Sequence, residues 1–209
     1  MRTEHPVNIS NQELHIQDLC KSYHQEPVLD HLSMILSYGH RYCLMAPSGT
    51  GKTTLFRILL GLEHADSGQI RGLENLRTSA VFQEDRLLEG YTALENLRFV
   101  TGRQYSNREL TDLLLRLLPA EALTKPVCEF SGGMKRRTAI LRALLAPSDL
   151  IIMDEPFTGL DADTKRKAIE LIKEYTKDKL LLFSTHHEED AKLLEAEVVF
   201  LKYETGYLR

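Results

Sequence analysis

Apolar and polar positions along the chain change period several times, and each change marks an element. Residues 14–19 alternate (Leu14-His15-Ile16-Gln17-Asp18-Leu19), which predicts a half-buried strand. Residues 28–36 read similarly. Residues 41–46 predict a buried strand, followed by a glycine-bearing loop and an apolar helix over 53–62. A short strand is predicted at 79–82. From about residue 84 to 146 the spacing turns helical. Thr92-Ala93-Leu94-Glu95 has capping-box spacing. Asn107 is placed to cap a helix through Leu113, Leu114, Leu117 and Leu118, which Pro119 ends. Around Ser131 the pattern predicts helix, Gly-rich turn and a second helix over 135–146. After Pro147, strands at 150–153, 180–184 and 198–201 alternate with helices at 162–175 and 187–194. Short apolar strands alternating with helices predict an α/β core with a mostly parallel sheet. The expected organisation is a single domain over 1–209. Its core covers about 1–83 and 147–209, and a helical subdomain of about 84–146 is inserted into it.

Composition narrows the classes. The 209 residues suffice for one sizeable core. The longest unbroken apolar run, Tyr42 to Ala46, is five residues. A bilayer-spanning helix needs about 20, so no membrane-spanning segment is expected. Met1-Arg2-Thr3-Glu4-His5-Pro6 lacks an apolar stretch behind its basic residue and does not read as a secretory signal. Cys20, Cys43 and Cys128 are odd in number and widely spaced. They read as reduced core or near-core thiols rather than disulfides or a metal site. Lys+Arg total 26 against 30 Asp+Glu, a net charge of −4, so bulk charge gives no support to nucleic-acid binding. The basic runs Lys135-Arg136-Arg137 and Lys165-Arg166-Lys167 fall on predicted helices with acids nearby and read as solvated faces.

Candidate chemistry lies at strand ends. Ala46-Pro47-Ser48-Gly49-Thr50-Gly51-Lys52-Thr53 joins a predicted strand to a predicted helix, where a phosphate-binding P-loop belongs. It departs from Gly-x-x-x-x-Gly-Lys-Ser/Thr only at Ala46. Backbone N–H groups must approach the anion closely, so bulk is excluded around Gly49 and Gly51. The helix start, with Thr54 next in line, points its positive end at the phosphates. Lys52 would neutralise β/γ-phosphate oxygens, and the Thr53 hydroxyl would ligate Mg²⁺. Alanine at 46 is tolerable if that position has a negative φ. The apolar strand at 150–153 ends in Asp154-Glu155, two carboxylates expected on opposite sides of an extended chain. One suits Mg²⁺; the other suits proton abstraction from water. Phe130-Ser131-Gly132-Gly133-Met134 offers a hydroxyl and two glycines at a helix start, a second anion-binding turn or a plain N-cap.

In this order the motifs resemble the nucleotide-binding subunit of ATP-binding cassette (ABC) transporters, over about residues 14–201. Ser131-Gly132-Gly133-Met134 is similar to the family's signature, with Phe130 and Met134 where Leu and Gln are commonest. Phe82-Gln83 resembles the Q-loop, Asp154-Glu155 the Walker B pair and Gly159-Leu160-Asp161 the D-loop. Ser184-Thr185-His186 resembles the switch histidine, with His187 in the place of a common Asp. Tyr23 sits where the family stacks an aromatic on adenine.

The resemblance implies an ABC ATPase fold: a P-loop NTPase core, an N-terminal antiparallel β subdomain and the inserted helical subdomain. It implies ATP and Mg²⁺ as ligands. ATP would contact Tyr23, Pro47, Ser48, Gly49, Thr50, Gly51, Lys52, Thr53 and Thr54, with Ser131, Gly132, Gly133 and Asp161 reaching it from a second subunit. Mg²⁺ would be held by Thr53, Gln83 and Asp154. Glu155 would be the general base, assisted by His186, Gln83 and Lys52. The expected assembly is a head-to-tail homodimer, or a pair with a related cassette. It would drive a separate transmembrane permease subunit, with a solute-binding protein outside, from the inner face of the cell membrane. No nucleic acid is expected. Glu84-Asp85-Arg86-Leu87-Leu88 and Thr92-Ala93-Leu94-Glu95-Asn96 are similar to the ATPases of bacterial importers for nitrate, sulfonates or taurine. The alternatives are a soluble ABC-type ATPase acting as a nucleotide-gated clamp, and a non-hydrolysing nucleotide binder, which only Ala46 supports.

Overall fold

The computed structural model describes residues 13–47, 49–74 and 76–201, so Ser48 of the predicted phosphate loop lies outside the described residues. Strands β1 (Glu13–Tyr23), β2 (Glu26–Ser37) and β4 (Ser67–Arg71) form an antiparallel sheet in the order β2-β1-β4. Leu14, Ile16 and Leu19 of β1 are buried with Leu29, Leu32 and Leu36 of β2, while the residues between them are largely exposed. That is the alternation of a sheet with one wet face. His24 and Gln25 turn the hairpin with positive φ of 51° and 70°, as a two-residue turn matched to strand twist requires. Strand β4 is an addition to the sequence-based reading. Its Ser-Gly-Gln-Ile-Arg has one apolar residue, so pairing with the edge of β1 defines it.

Strands β3 (Arg41–Met45), β5 (Thr78–Val81), β6 (Leu150–Met153), β7 (Leu180–Ser184) and β8 (Glu197–Phe200) lie in the order β5-β6-β7-β3-β8, every pair parallel. Alternate residues feed two cores. Cys43, Ile151, Met153, Leu181 and Phe183 join one core. Leu44, Leu150, Ile152, Leu180 and Leu182 join the other, with β1, β2 and helix α1 (Lys52–Leu59). The period of two explains how one short strand serves both layers. Burial on both faces explains why β6 reads as an unbroken apolar run and β7 as an apolar run closed by Ser184.

Helices α2 (Ala93–Thr101), α3 (Asn107–Leu115) and α4 (Gly132–Leu145) fall between β5 and β6 and share the first core. The capping box at Thr92 forms as expected, with Glu95 N–H on the Thr92 hydroxyl at 3.2 Å. At α3 the cap is Ser106 rather than Asn107, with a second capping box to Glu109. Helix α3 ends at Leu115, and Leu117 and Leu118 bury themselves from the turn that follows. The helix expected before Ser131 is two 3-10 turns, Ala120–Ala122 and Val127–Glu129, each entered through a proline. Helix α4 starts three residues earlier than expected because Ser131 caps it. Helices α5 (Ala162–Tyr175) and α6 (Glu188–Leu193) complete the strand–helix alternation. Among the described residues no helix is long and apolar enough to cross a membrane. Cys43 is buried as expected, but Cys20 is only partly buried and Cys128 is exposed.

Parallel pairing brings the carboxyl ends of β5, β6, β7 and β3 to one edge of the sheet, where open α/β sheets place ligands. The segments leaving those four strands carry Gln83, Asp154, His186 and the glycine loop.

Candidate nucleotide site

The loop leaving β3 is shaped by two glycines. Gly49 and Gly51 have φ of +82° and +87°, a region that L side chains enter at a cost. A Cβ on Gly51 would also lie 2.5 Å from the Val28 carbonyl oxygen and 2.8 Å from a Leu29 methyl. The loop is therefore wedged under β2 at that point. Ala46 has no positive φ, so the missing first glycine meets the condition for tolerance. Gly51 is also the N-cap of α1 and supplies no side-chain acceptor. The first-turn N–H groups therefore meet no capping side chain and point toward the loop. Lys52 is buried, and its ammonium donates to the Ala46 carbonyl at 2.6 Å and the Pro47 carbonyl at 3.0 Å. Thr50 donates its hydroxyl proton to the Pro47 carbonyl at 2.6 Å. Gly49, Gly51, Lys52, Thr53 and Thr54 share a cavity of about 260 Å³ with Gln83, Asp154 and Glu155.

The two acids do not alternate on an extended strand as expected. Strand β6 stops at Met153, and Glu155 has a φ of +48°. A turn, not the pleat, separates their roles. Asp154 is buried, and both its oxygens accept hydroxyl protons: Oδ2 from Thr53 at 2.7 Å and Oδ1 from Ser184 at 2.6 Å. Ser184 Oγ in turn accepts the Glu155 N–H at 3.0 Å. Glu155 Oε1 lies 2.7 Å from His186 Nε2. Beyond it, the Thr185 hydroxyl donates to Asp190 at 2.6 Å and accepts the His187 N–H at 3.2 Å. Asp190 is fully buried and meets the Lys165 ammonium. These contacts fix the entry to α6, and with it the place of His186.

The basic runs are not simply solvated. Arg136 is buried, and its guanidinium donates to the Phe82 carbonyl at 2.5 Å and the Gln83 carbonyl at 2.6 Å, with Asp85 3.2 Å from Nε. Arg142 reaches the Asp85 and Arg86 carbonyls from the same helix. Desolvation pushes the Asp85 carboxyl up, against the pull of Arg136, Lys135 and Arg142. Arg137 donates to the Leu117 carbonyl at 2.5 Å. Lys165 pairs with Asp190, whereas Arg166 and Lys167 are exposed.

Ser131, Gly132, Gly133, Asp161, Tyr23 and the Pro47 ring do not line this cavity. Ser131 accepts the Met134 N–H at 3.3 Å as the cap of α4. A Cβ on Gly133 would lie 3.2 Å from the Gly159 carbonyl oxygen, while one on Gly132 would meet nothing within 4 Å. Asp161 caps α5 through Thr164 N–H at 2.9 Å, and that bond, ahead of the Thr164 hydroxyl, holds its carboxyl below the usual range. Tyr23 is 38% exposed at the tip of the β1–β2 hairpin. Pro47 is exposed within the loop, its carbonyl turned to Lys52 and Thr50.

The sequence-based reading did not assign Ser184, Arg136, Lys165 or Asp190. A signal existed for Arg136. It falls in register with the buried Ala139, Ile140, Ala143 and Leu144, at i+3, i+4, i+7 and i+8, on the inward face of α4. Asp190 likewise precedes Leu194 by one turn. Ser184 ends a strand that is apolar at every other position.

Comparison with known proteins agrees with this geometry. The family described as ABC transporter matches residues 29–158. An aliphatic sulfonates import ATP-binding protein of Paraburkholderia xenovorans (strain LB400) is 35% identical over 206 residues, covering 96% of this chain and 81% of that protein. A Nod factor export ATP-binding protein of the same strain is 36% identical over 191 residues, covering 83% of this chain. The chain spans 62% of the length of that exporter protein and 53% of a sulfate/thiosulfate import ATP-binding protein of Anthoceros angustus. The fold matches the dimeric post-hydrolysis structure of the ATP-binding cassette MJ0796 with a TM-score of 0.78 at 24% identity, over 90% of this chain and 94% of that one.

Proposed function

The chain belongs to the ABC transporter family, and on that premise we propose that it binds MgATP in the 260 Å³ cavity and hydrolyses it to drive a transporter. One observation carries the proposal. The Thr53–Asp154 pair and the Glu155–His186 pair, each at 2.7 Å, flank the glycine cradle on adjacent strand ends.

The residues fit Mg²⁺. A hydroxyl and a carboxylate, already in contact at the phosphate end of the cradle, are hard oxygen donors of the type that ion takes. In this proposal Thr53 and Asp154 hold it, with Gln83 reaching in from the loop after β5. When bound, Mg²⁺ supplies charge neutralisation at the β- and γ-phosphates. The chain's own groups do the rest. Lys52 leaves the Ala46 and Pro47 carbonyls for the phosphates. The Glu155 carboxylate takes a proton from water as its oxygen attacks the γ-phosphorus, and the bond to the bridging oxygen breaks toward ADP. His186 orients Glu155 and holds the γ-phosphate. Tyr23 stacks on the adenine. Ser131, Gly132, Gly133 and Asp161 act across a head-to-tail dimer, which accords with their absence from the lining of the cavity in their own chain.

The helical segment 84–146 is the proposed receiving subdomain for a membrane permease. Leu88, Tyr91 and Phe99 are exposed on it, and the Tyr91 and Phe99 rings meet edge-on at 5.2 Å. An apolar group of this kind suits a partner surface. Arg136 and Arg142 tie it to the Q-loop. We further propose import of a small anionic solute, with a solute-binding protein, from the inner face of the membrane. The segment 84–96 and the coverage of the sulfonate importer support that direction.

The test is Glu155→Gln. MgATP binding is expected to persist while turnover falls by about 10²–10⁴-fold, the usual contribution of a general base. Near-normal turnover overturns the assignment. Pull-down from detergent-solubilised membranes is expected to recover a polytopic membrane protein; recovery of soluble partners alone overturns the transport reading.

A further inference from the structure

The β1–β2 pairing is broken three times in succession, and the first two breaks gather metal-binding side chains. Between Ile16↔Met34 and Leu19↔Leu32, Gln17 and Asp18 on β1 oppose Ser33 alone on β2. Between Leu19↔Leu32 and Lys21↔Leu29 the excess reverses, and Asp30 and His31 on β2 oppose Cys20 alone. Bulges on opposite strands re-aim their side chains. Asp18 and His31 sit at φ of 55° and 49°, uncommon for residues other than glycine. The neighbouring strand allows the first bulge through Gly68, where a Cβ would lie 2.4 Å from the Asp18 carbonyl oxygen.

The outcome is a mixed donor set. A ligand atom from each of Cys20, Asp30 and His31 lies within 4.8 Å of the other two. His31 Nδ1 is 2.6 Å from Asp18 Oδ1, and Nε2 is 3.8 Å from Asp30 Oδ1. A carboxylate on Nδ1 fixes the tautomer that presents the Nε2 lone pair, the arrangement in which metal-ligating histidines are held. The Cys20 sulfur accepts the His31 N–H at 3.3 Å and lies 3.7 Å from the Asp18 carbonyl oxygen, to which its S–H points.

We propose that Cys20, Asp30 and His31 bind a divalent transition metal of the zinc class, with Asp18 as the carboxylate that orients His31. Thiolate, imidazole and carboxylate together match zinc's ligand preferences, whereas Mg²⁺ prefers oxygen donors. The three ligands leave room for water at a fourth position. Binding releases the Cys20 thiol proton to solvent. The metal staples β1 to β2 below the hairpin that carries Tyr23. The site is separate from the phosphate cradle and does not depend on nucleotide.

The test uses untagged full-length chain carrying Cys128→Ser, which removes the exposed thiol, without nucleotide. Titration with Co²⁺ is expected to give one ion per chain and a thiolate-to-cobalt charge-transfer band, both displaced by Zn²⁺. Cys20→Ser is expected to abolish the band. His31→Asn, chosen because asparagine tolerates the left-handed conformation, and Asp30→Asn are each expected to weaken binding at least about tenfold, and Asp18→Asn by about 10–100-fold. Zn²⁺ should raise the melting temperature of the parent but not of the Cys20→Ser chain. Equal metal-free melting temperatures establish that the variants fold. No charge-transfer band, or one that survives Cys20→Ser, overturns the proposal.

Discussion

Two helices of this chain begin on glycine-rich turns, and their first turns are treated in opposite ways. At α1 the N-cap is Gly51, left-handed and without a side-chain acceptor. At α4 the N-cap is Ser131, extended, with its hydroxyl on the Met134 N–H. Around Gly51 the chain supplies Lys52 and the Thr53–Asp154 pair from within itself. Around Gly132 it supplies no neighbour within 4 Å of where a side chain would stand. The first glycine is required by its own fold. The second has no such requirement inside the molecule, which is the reason to look for it in a dimer.

Four substitutions probe that contrast. Gly51→Ala carries the largest expected effect. Its positive φ and the 2.5 Å approach to Val28 should displace the loop and cut ATP affinity at least about a hundredfold, roughly 2.8 kcal/mol; equilibrium nucleotide binding measures it. Gly132→Ala comes next. Melting temperature and ATP affinity should stay at parental values while turnover drops at least about tenfold, roughly 1.4 kcal/mol. Unchanged turnover there would remove the argument that this turn faces a second subunit. Ser131→Ala should lower stability by about 1 kcal/mol through loss of the cap, read by denaturant unfolding. Ala46→Gly should change ATP affinity by a factor of about three or less, because that position already lacks a positive φ. A change beyond tenfold, roughly 1.4 kcal/mol, means that position 46 does need the conformational freedom of glycine.

The same contrast marks how much was legible in the sequence. Gly51, Lys52 and Thr53 could be read because their chemistry is local: a strand, a turn and a helix start in one stretch of chain. Strands β6 and β7 were readable to the residue, since burial on both faces leaves an apolar run with sharp ends, closed in β7 by Ser184. Strand β4 was not, because its single apolar residue carries no period and only pairing with β1 makes it a strand. The basic run at 135–137 was misread for a related reason. Charge suggests solvent, yet the helical period turns Arg136 inward to the Phe82 and Gln83 carbonyls.

The sequence by itself determined the residue types of the glycine loop before α1, the acids after β6, the order of the motifs and the α/β alternation. These depend on hydrophobic period and on short spacings that the chain carries locally. Only the tertiary structure decided that Thr53 and Asp154 touch across 101 positions, that Ser184 bridges Asp154 to Glu155, and that Glu155 leaves the strand in a left-handed turn toward His186. It alone also brought Asp18, Cys20, Asp30 and His31 together. Such contacts depend on which strands become neighbours and where their register slips, and neither is encoded in the spacing along one strand.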